Sequence, residues 1–283
     1  MMKIQELENN KLILRNSGNL SLFFIGVGSA FSKLNNQTNL MIIKGNDHLL
    51  VDCGTKCSQA LAELGIGMPE IETFLVTHSH ADHIGGLEEA ALIGRYMVKR
   101  RPKMVINKEY QKILWDMSLS GGCAYGEGDG TTRLGFEDFW EPLRPKPMKG
   151  KPRQMMEVNV GSINIKLFRT CHFPDLSKSW ETSFWSCGLI IDDRVLFTSD
   201  TRFDPDMVTT LDGMFHFENI FHDCQFYPGG VHAYIEDLIT LPADIRRRIF
   251  LSHFGDNWIK FEDRVAQSGF AGFARQQVFY NYL

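Results

Sequence analysis

Read for its apolar and polar positions, the chain begins as strands. Residues 22–27, 39–44 and 48–53 are short apolar runs, bounded by Gly and Asn. Runs of that length between turn residues predict buried strands. At 55–64 the period changes, and Ala60, Leu61 and Leu64 share one face of a helix. Residues 71–76 predict another strand, and "LEEAALIGRYMVKR" after Gly86 predicts a helix. A short strand at 103–107 and a helix from about Lys108 follow. Strands resume at 157–170, 184–191, 194–198, 218–223 and 249–252, with helices between the later ones. Both halves run strands first and helices after, although no repeat aligns residue by residue. The pattern predicts an α/β fold, a sandwich of two sheets flanked by helices.

Residues 120–153 break this rhythm. "SGGCAYGEGDGTTRLG" is too rich in Gly to pack as a regular element, and "EPLRPKPMKGKPR" is a Pro/Lys/Arg run. We read 120–153 as an insertion or surface loop within one hydrolase-sized domain spanning 1–283. In its Gly-rich part, Tyr125 is the candidate substrate contact.

Composition narrows the partners. A net charge of −4 over 283 residues lacks the basic footprint of a protein that grips extended nucleic acid. The six cysteines are scattered through a chain too large to need stapling, as in a reduced cytoplasmic protein. "LSLFFIGVGSAFS" has the apolarity of a secretory leader, but it follows nineteen residues that include Glu6 and Glu8, so it reads as a core strand. No apolar run reaches the roughly 20 residues that span a bilayer, so no membrane is expected.

The chemistry concentrates in "THSHADHIGG", residues 77–86, directly after the strand at 71–76. Imidazoles alternating with one carboxylate suit a borderline divalent metal. Further ligands are expected where strands end, because the backbone is rigid there. His172 follows "INIKLFRTC", Asp200 follows "RVLFTS" and His253 follows "RRIFLS". With His78, His80, Asp82 and His83, these residues have the composition of a two-metal site whose ions lie roughly 3.5–4 Å apart. Thr77 and Thr198, beside ligand positions, are candidates for supporting hydrogen bonds.

This ordered set, His78-Ser-His80-Ala-Asp82-His83 followed by His172, Asp200 and His253, resembles the metallo-β-lactamase superfamily. The resemblance implies an αββα sandwich. His78, His80 and His172 would then hold one ion, and Asp82, His83 and His253 the other, with Asp200 bridging. "FIGVGSAFSKLNNQTN", "LLVDCG", "FTSDTRF" and "LSHFGD" are similar to the ribonuclease Z branch. "FHDCQF" matches that branch's His-Glu-Ala-Thr segment at His222, with Asp223 in place of Glu. That match implies that His222 protonates the leaving group, while Asp82 orients a hydroxide shared by the two metals. Only 28 positions separate His172 from Asp200, which leaves no room for a tRNA-gripping arm. The closest look is to the anti-Pycsar cyclic-nucleotide phosphodiesterases.

The expected function is hydrolysis of small phosphodiesters, cyclic nucleotides first. The cofactor would be two divalent ions, zinc first, with manganese or iron admitted by the same ligands. The family resemblance implies a homodimer. The alternatives are a ribonuclease Z-type tRNA 3′-processing endonuclease, a lactone or carbonyl-ester hydrolase, and a metal-binding module without chemistry. A substrate panel separates the first two from the main reading. A module without chemistry need not purify with two ions per chain.

Overall fold

The computed structural model describes residues 2–8, 11–126 and 130–283. The chain lays down β1 (Met2–Glu6), β2 (Leu20–Gly26), β3 (Asn39–Lys44), β4 (Asp47–Val51), β5 (Thr73–Leu75), β6 (Lys103–Val105) and β7 (Glu141–Leu143). A second series follows: β8 (Lys146–Met148), β9 (Met155–Val160), β10 (Ile163–Arg169), β11 (Cys187–Ile191), β12 (Val195–Phe197), β13 (Asn219–Asp223), β14 (Ile249–Ser252) and β15 (Gly272–Phe273). The chain then returns as β16 (Val278–Tyr282) to the first sheet. The orders are β1-β16-β2-β3-β4-β5-β6-β7 and β15-β14-β13-β12-β11-β10-β9-β8.

The sheets face each other across aromatic side chains. Phe24 on β2 lies 4.8 Å from Phe221 on β13, and Tyr280 on β16 lies 5.0 Å from Phe221, centroid to centroid. β2 and β11 are buried along their whole length, which is why their apolar runs are continuous rather than alternating. Helices cover the outer faces, among them Cys57–Glu63, Leu87–Leu92 and Lys108–Leu114 by the first sheet and Pro205–Phe215 by the second. This is the αββα arrangement expected from the sequence. Among the described residues no helix is long and apolar enough to cross a membrane.

Two expectations change. The run at 157–170 is a hairpin of β9 and β10, turning at Gly161, whose φ of +55° suits a residue without Cβ. The segment at 120–153 is partly regular. Ser120–Cys123 is a helical turn, β7 pairs with β6, and β8 pairs with β9. The Pro/Lys/Arg run therefore carries the chain from one sheet to the other. Pro142 and Pro147 are tolerated because β7 and β8 are edge strands with no partner beyond them. Residues 127–129 of the Gly-rich stretch lie outside the described residues.

Parallel pairing sets up the site. β4, β5 and β6 run parallel, as do β12, β13 and β14, and β10 points the same way as β12 because both are antiparallel to β11. The C-terminal ends of these strands meet at one rim of the sandwich, where open α/β sheets place their ligands.

Candidate metal centre

His78 emerges three residues after β5, and Asp82 and His83 sit in the short helix Ala81–Ile84. That helix is seated closely: a Cβ on Gly54 would stand 2.0 Å from the Asp82 carbonyl oxygen, so this approach requires glycine. His172 follows β10, Asp200 follows β12 and His253 directly follows β14. Asp52, Ser199 and His253 hold φ values of +63°, +50° and +57° at these strand ends. Left-handed backbone at non-glycine residues stores strain and persists where the surroundings over-determine it, typically at sites.

The seven predicted ligands come together around one oxygen. Asp200 Oδ2 lies 3.8 Å from His78 Nε2, 3.6 Å from His172 Nε2, and 3.4 Å from both His83 Nε2 and His253 Nε2. His80 Nδ1 lies 3.0 Å from His78 Nε2 and 3.1 Å from His172 Nε2. Three ring nitrogens converging at that spacing approach the roughly 3.3 Å separation set by tetrahedral zinc with Zn–N of about 2.0–2.1 Å. On the other side, Asp82 Oδ2 lies 3.3 Å from His83 Nε2 and 3.2 Å from His253 Nε2. Candidate donor sets are therefore His78, His80, His172 and Asp200, and Asp82, His83, Asp200 and His253.

A buried cluster of this kind is hard to explain without cations. Asp200 Oδ1 and His83 Nε2 are buried without a hydrogen-bond partner, and each such orphan costs about 1–3 kcal/mol. Burial pushes the His172 imidazole down to about 4, against the pull of Asp200, and likewise lowers His78. Those rings are neutral and offer lone pairs. Burial would also depress His253, but Asp200, Asp223 and Asp82 together raise it to about 10. Burial would raise the Asp200 carboxyl, yet His253, His83 and His78 hold it well below the usual range. One half of the cluster supplies neutral nitrogen and the other half gathers carboxylates around its imidazoles, so the residues fit divalent cation binding.

An outer layer fixes the rings. Asp52 Oδ2 lies 2.7 Å from His83 Nδ1, and the same carboxylate accepts from Thr77 N and Oγ1 at 2.8 and 2.9 Å. Thr77 Oγ1 also meets His78 Nδ1 at 3.2 Å, and Val231 O meets His172 Nδ1 at 2.9 Å. Thr198 Oγ1 accepts from the Asp223 amide at 3.1 Å. Thr77 thus makes a supporting bond of the kind suggested for it, Thr198 touches none of the seven predicted ligands, and Asp52, quoted earlier only within "LLVDCG", makes the shortest contact to a ligand ring. Asp52→Ala should weaken metal retention by about 10- to 100-fold. The measurement is metal per chain against a graded chelator, and unchanged retention would refute the role.

Two candidates stand elsewhere. His222 lies on β13 next to Phe221, which faces the other sheet, so the alternation of a strand points His222 to the helix-covered side. It is fully buried, its Nδ1 donates to the Asp223 carbonyl at 2.8 Å, and it belongs to no candidate donor set. Tyr125 is 69% exposed beside Arg133, with no contact to the cluster among the described residues. The histidine that does reach the cluster is His232. Its Nδ1 sits 2.7 Å from Asp223 Oδ2, and its ring lies 5.1 Å from His172 and 4.8 Å from His253. The side chain is 21% exposed, with Nδ1 engaged by Asp223. His232 stands in the loop "YPGGVHAY" rather than at a strand end, and its one signal in the sequence is its place nine residues after Asp223. Asp200, Asp223, His232 and His253 form a third possible donor set.

The comparisons agree on fold and family. The family model described as "Anti-Pycsar protein Apyc1" matches residues 20–280. A protein of that description from Bacillus phage BSP38 is 35% identical over 251 residues, covering 87% of this chain and 93% of its own. One from Paenibacillus harenae is 34% identical over 243 residues, covering 85% and 92%. Among solved structures, a diphosphatase of the PhnP family superposes with a TM-score of 0.64 at 13% identity, covering 93% of this chain and 98% of that one. The metallo-β-lactamase fold protein YhfI of Bacillus subtilis gives 0.63 at 15%, covering 93% and 100%. The short form of human tRNase Z gives 0.58 at 17%, covering 91% and 98%. The chain has the metallo-β-lactamase fold.

Proposed function

The chain belongs to the anti-Pycsar Apyc1 family, and we propose that it is a metal-dependent phosphodiesterase whose substrates are cyclic nucleotides. The observation that carries this reading is the convergence of four buried imidazole nitrogens within 3.8 Å of one Asp200 oxygen. His78, His80 and His172 would hold one divalent ion, and Asp82, His83 and His253 the other, with Asp200 between them. Two such ions supply water activation at neutral pH and offset charge building on the phosphoryl group. Zinc is proposed first, and manganese or iron fit the same donors. We take 1–283 as a single catalytic unit, since ligands come from both sheets, and we place it in the cytoplasm.

The chain's own groups handle the protons. Asp82, at the floor of the cluster, orients the attacking water. His232 delivers a proton from Nε2 to the leaving oxygen, while Asp223 holds its Nδ1 and fixes the tautomer, the logic of a carboxylate–histidine pair. His222 has no route to a leaving group from the far side of β13, and we assign it to packing. Only seventeen residues, 170–186, connect β10 to β11 beside the site, too few to grip a tRNA.

A panel of 2′,3′- and 3′,5′-cyclic nucleotides, bis(p-nitrophenyl) phosphate, a tRNA precursor and lactones tests the substrate class. The highest kcat/KM is expected on a cyclic nucleotide, with loss of turnover on chelation. A tRNA precursor or a lactone hydrolysed faster would overturn the reading.

Tyr125 reaches no cluster residue of its own chain, so we propose that it acts on the neighbouring site of a homodimer. Base stacking on an aromatic is worth about 1–3 kcal/mol. Tyr125→Ala should then raise KM for a cyclic nucleotide by roughly 5- to 100-fold. Sedimentation as a monomer at assay concentration would remove this role.

A further inference from the structure

The loop between β10 and β11 carries two phenylalanines outward from the cluster. Phe173 follows the ligand His172, and its ring lies 4.8 Å from that of His80 and 5.2 Å from that of His172. Phe184 is 63% exposed and lies 5.6 Å from Phe173, one ring farther out. A lone exposed phenylalanine is ordinary on a protein surface. This one is held in place with unusual thoroughness.

Its amide donates to the Phe173 carbonyl at 2.9 Å, closing the base of the loop. Beneath it, Arg169 is only 7% exposed, and its guanidinium donates to the carbonyls of Phe184, Ser183, Trp180 and Ser186 at 2.8, 3.0, 3.3 and 3.2 Å. The same guanidinium lies 5.0 Å over the Trp185 ring. Arg202 ties down the other limb by donating to the carbonyls of Ser177 and Pro174 at 3.0 and 3.5 Å. Burying a cation is costly, and here its donors are spent on loop carbonyls. A loop fixed in this way presents its exposed ring without an ordering cost at the moment of binding.

We propose that Phe184, backed by Phe173, is the platform on which the substrate's nucleobase stacks, and that the 173–186 loop is pinned to present it. The proposal rests on the cyclic-nucleotide reading above. Phe173 adjoins the rings of His80 and His172 and Phe184 adjoins Phe173, so a base carried outward by the ribose of a nucleotide bound at the cluster can meet these rings. The π-face of Phe184 accepts any base, so the platform supplies affinity with little discrimination among bases. If Tyr125 of a second subunit also contributes, it covers the base from the opposite side.

The test compares Phe184→Ala and Phe184→Tyr with the parent on a 3′,5′-cyclic nucleotide and on glycerol 1,2-cyclic phosphate, a cyclic phosphodiester without a base. Phe184→Ala should raise KM for the nucleotide by roughly 5- to 100-fold, with kcat, metal content and the baseless ester near parental values. Phe184→Tyr should restore the nucleotide KM. An unmoved nucleotide KM in Phe184→Ala, or an equal loss on the baseless ester, overturns the platform while leaving the substrate class intact. A parent enzyme inert to every cyclic nucleotide overturns the substrate class, and this inference with it.

Discussion

Asp200→Ala is expected to abolish hydrolysis and to strip the protein of most of its metal. Among the described residues, every candidate donor set contains Asp200. Removing its carboxylate would take away the proposed bridge and the negative charge toward which His78, His83, His172 and His253 all point. Two metal ions contribute several kcal/mol to stabilising a phosphoryl-transfer transition state, so turnover should fall by at least about 10³-fold. Metal per chain should drop well below two. Asp200→Asn, which keeps the shape and loses the charge, should behave similarly. A variant that retains both ions and near-parental turnover would show that the ligand assignment is wrong. The fold is expected to survive, since the sandwich is closed by aromatic packing between the sheets that Asp200 does not join.

His232→Ala is expected to have the second largest effect, and a selective one. General-acid assistance is worth typically 10²–10⁴ in rate where the leaving group is a poor one. Hydrolysis of a cyclic nucleotide, which expels a ribose oxygen, should slow by that factor. Hydrolysis of bis(p-nitrophenyl) phosphate should change little, because p-nitrophenolate leaves without a proton. Asp223→Asn should reproduce part of the loss, since it disturbs the 2.7 Å contact that orients the ring. His222→Ala should cost stability and lower both substrates' rates alike. A selective, leaving-group-dependent loss in His222→Ala instead would return the proton to that residue.

The difference between these histidines shows what the sequence can and cannot reveal. The residues of the proposed ligand sets were legible because strand ends are local features: an apolar run followed by His or Asp is visible in any ten-residue window, as in "RRIFLSH". His232 was not, because its role comes from a loop brought back over β13. The contact with Asp223 spans nine residues with Gly229 and Gly230 between them, both at φ +82°. His222 misled for the complementary reason. A matched segment carries no information about which side of the strand each residue takes, and the pairing of Phe221 with Phe24 decides that. Among the strands, β1 gave no signal because four of its five residues are exposed and it is held by pairing with β16. β16 was hidden by aromatics at both parities: Val278, Tyr280 and Tyr282 point inward, while Phe279 masks the alternation.

The placement of β16 between β1 and β2 has a consequence for biosynthesis. As the chain leaves the ribosome, β2 to β7 can assemble early, but the β2 edge that carries Phe23 and Phe24 stays open until residues 278–282 emerge. The last ligand, His253, also precedes that strand. The first sheet is therefore sealed by contacts of very long sequence separation, the class that forms slowly and leaves partly made sheets open to aggregation. The proposed ligand set is therefore expected to reach its final spacing only after translation, once β16 has docked.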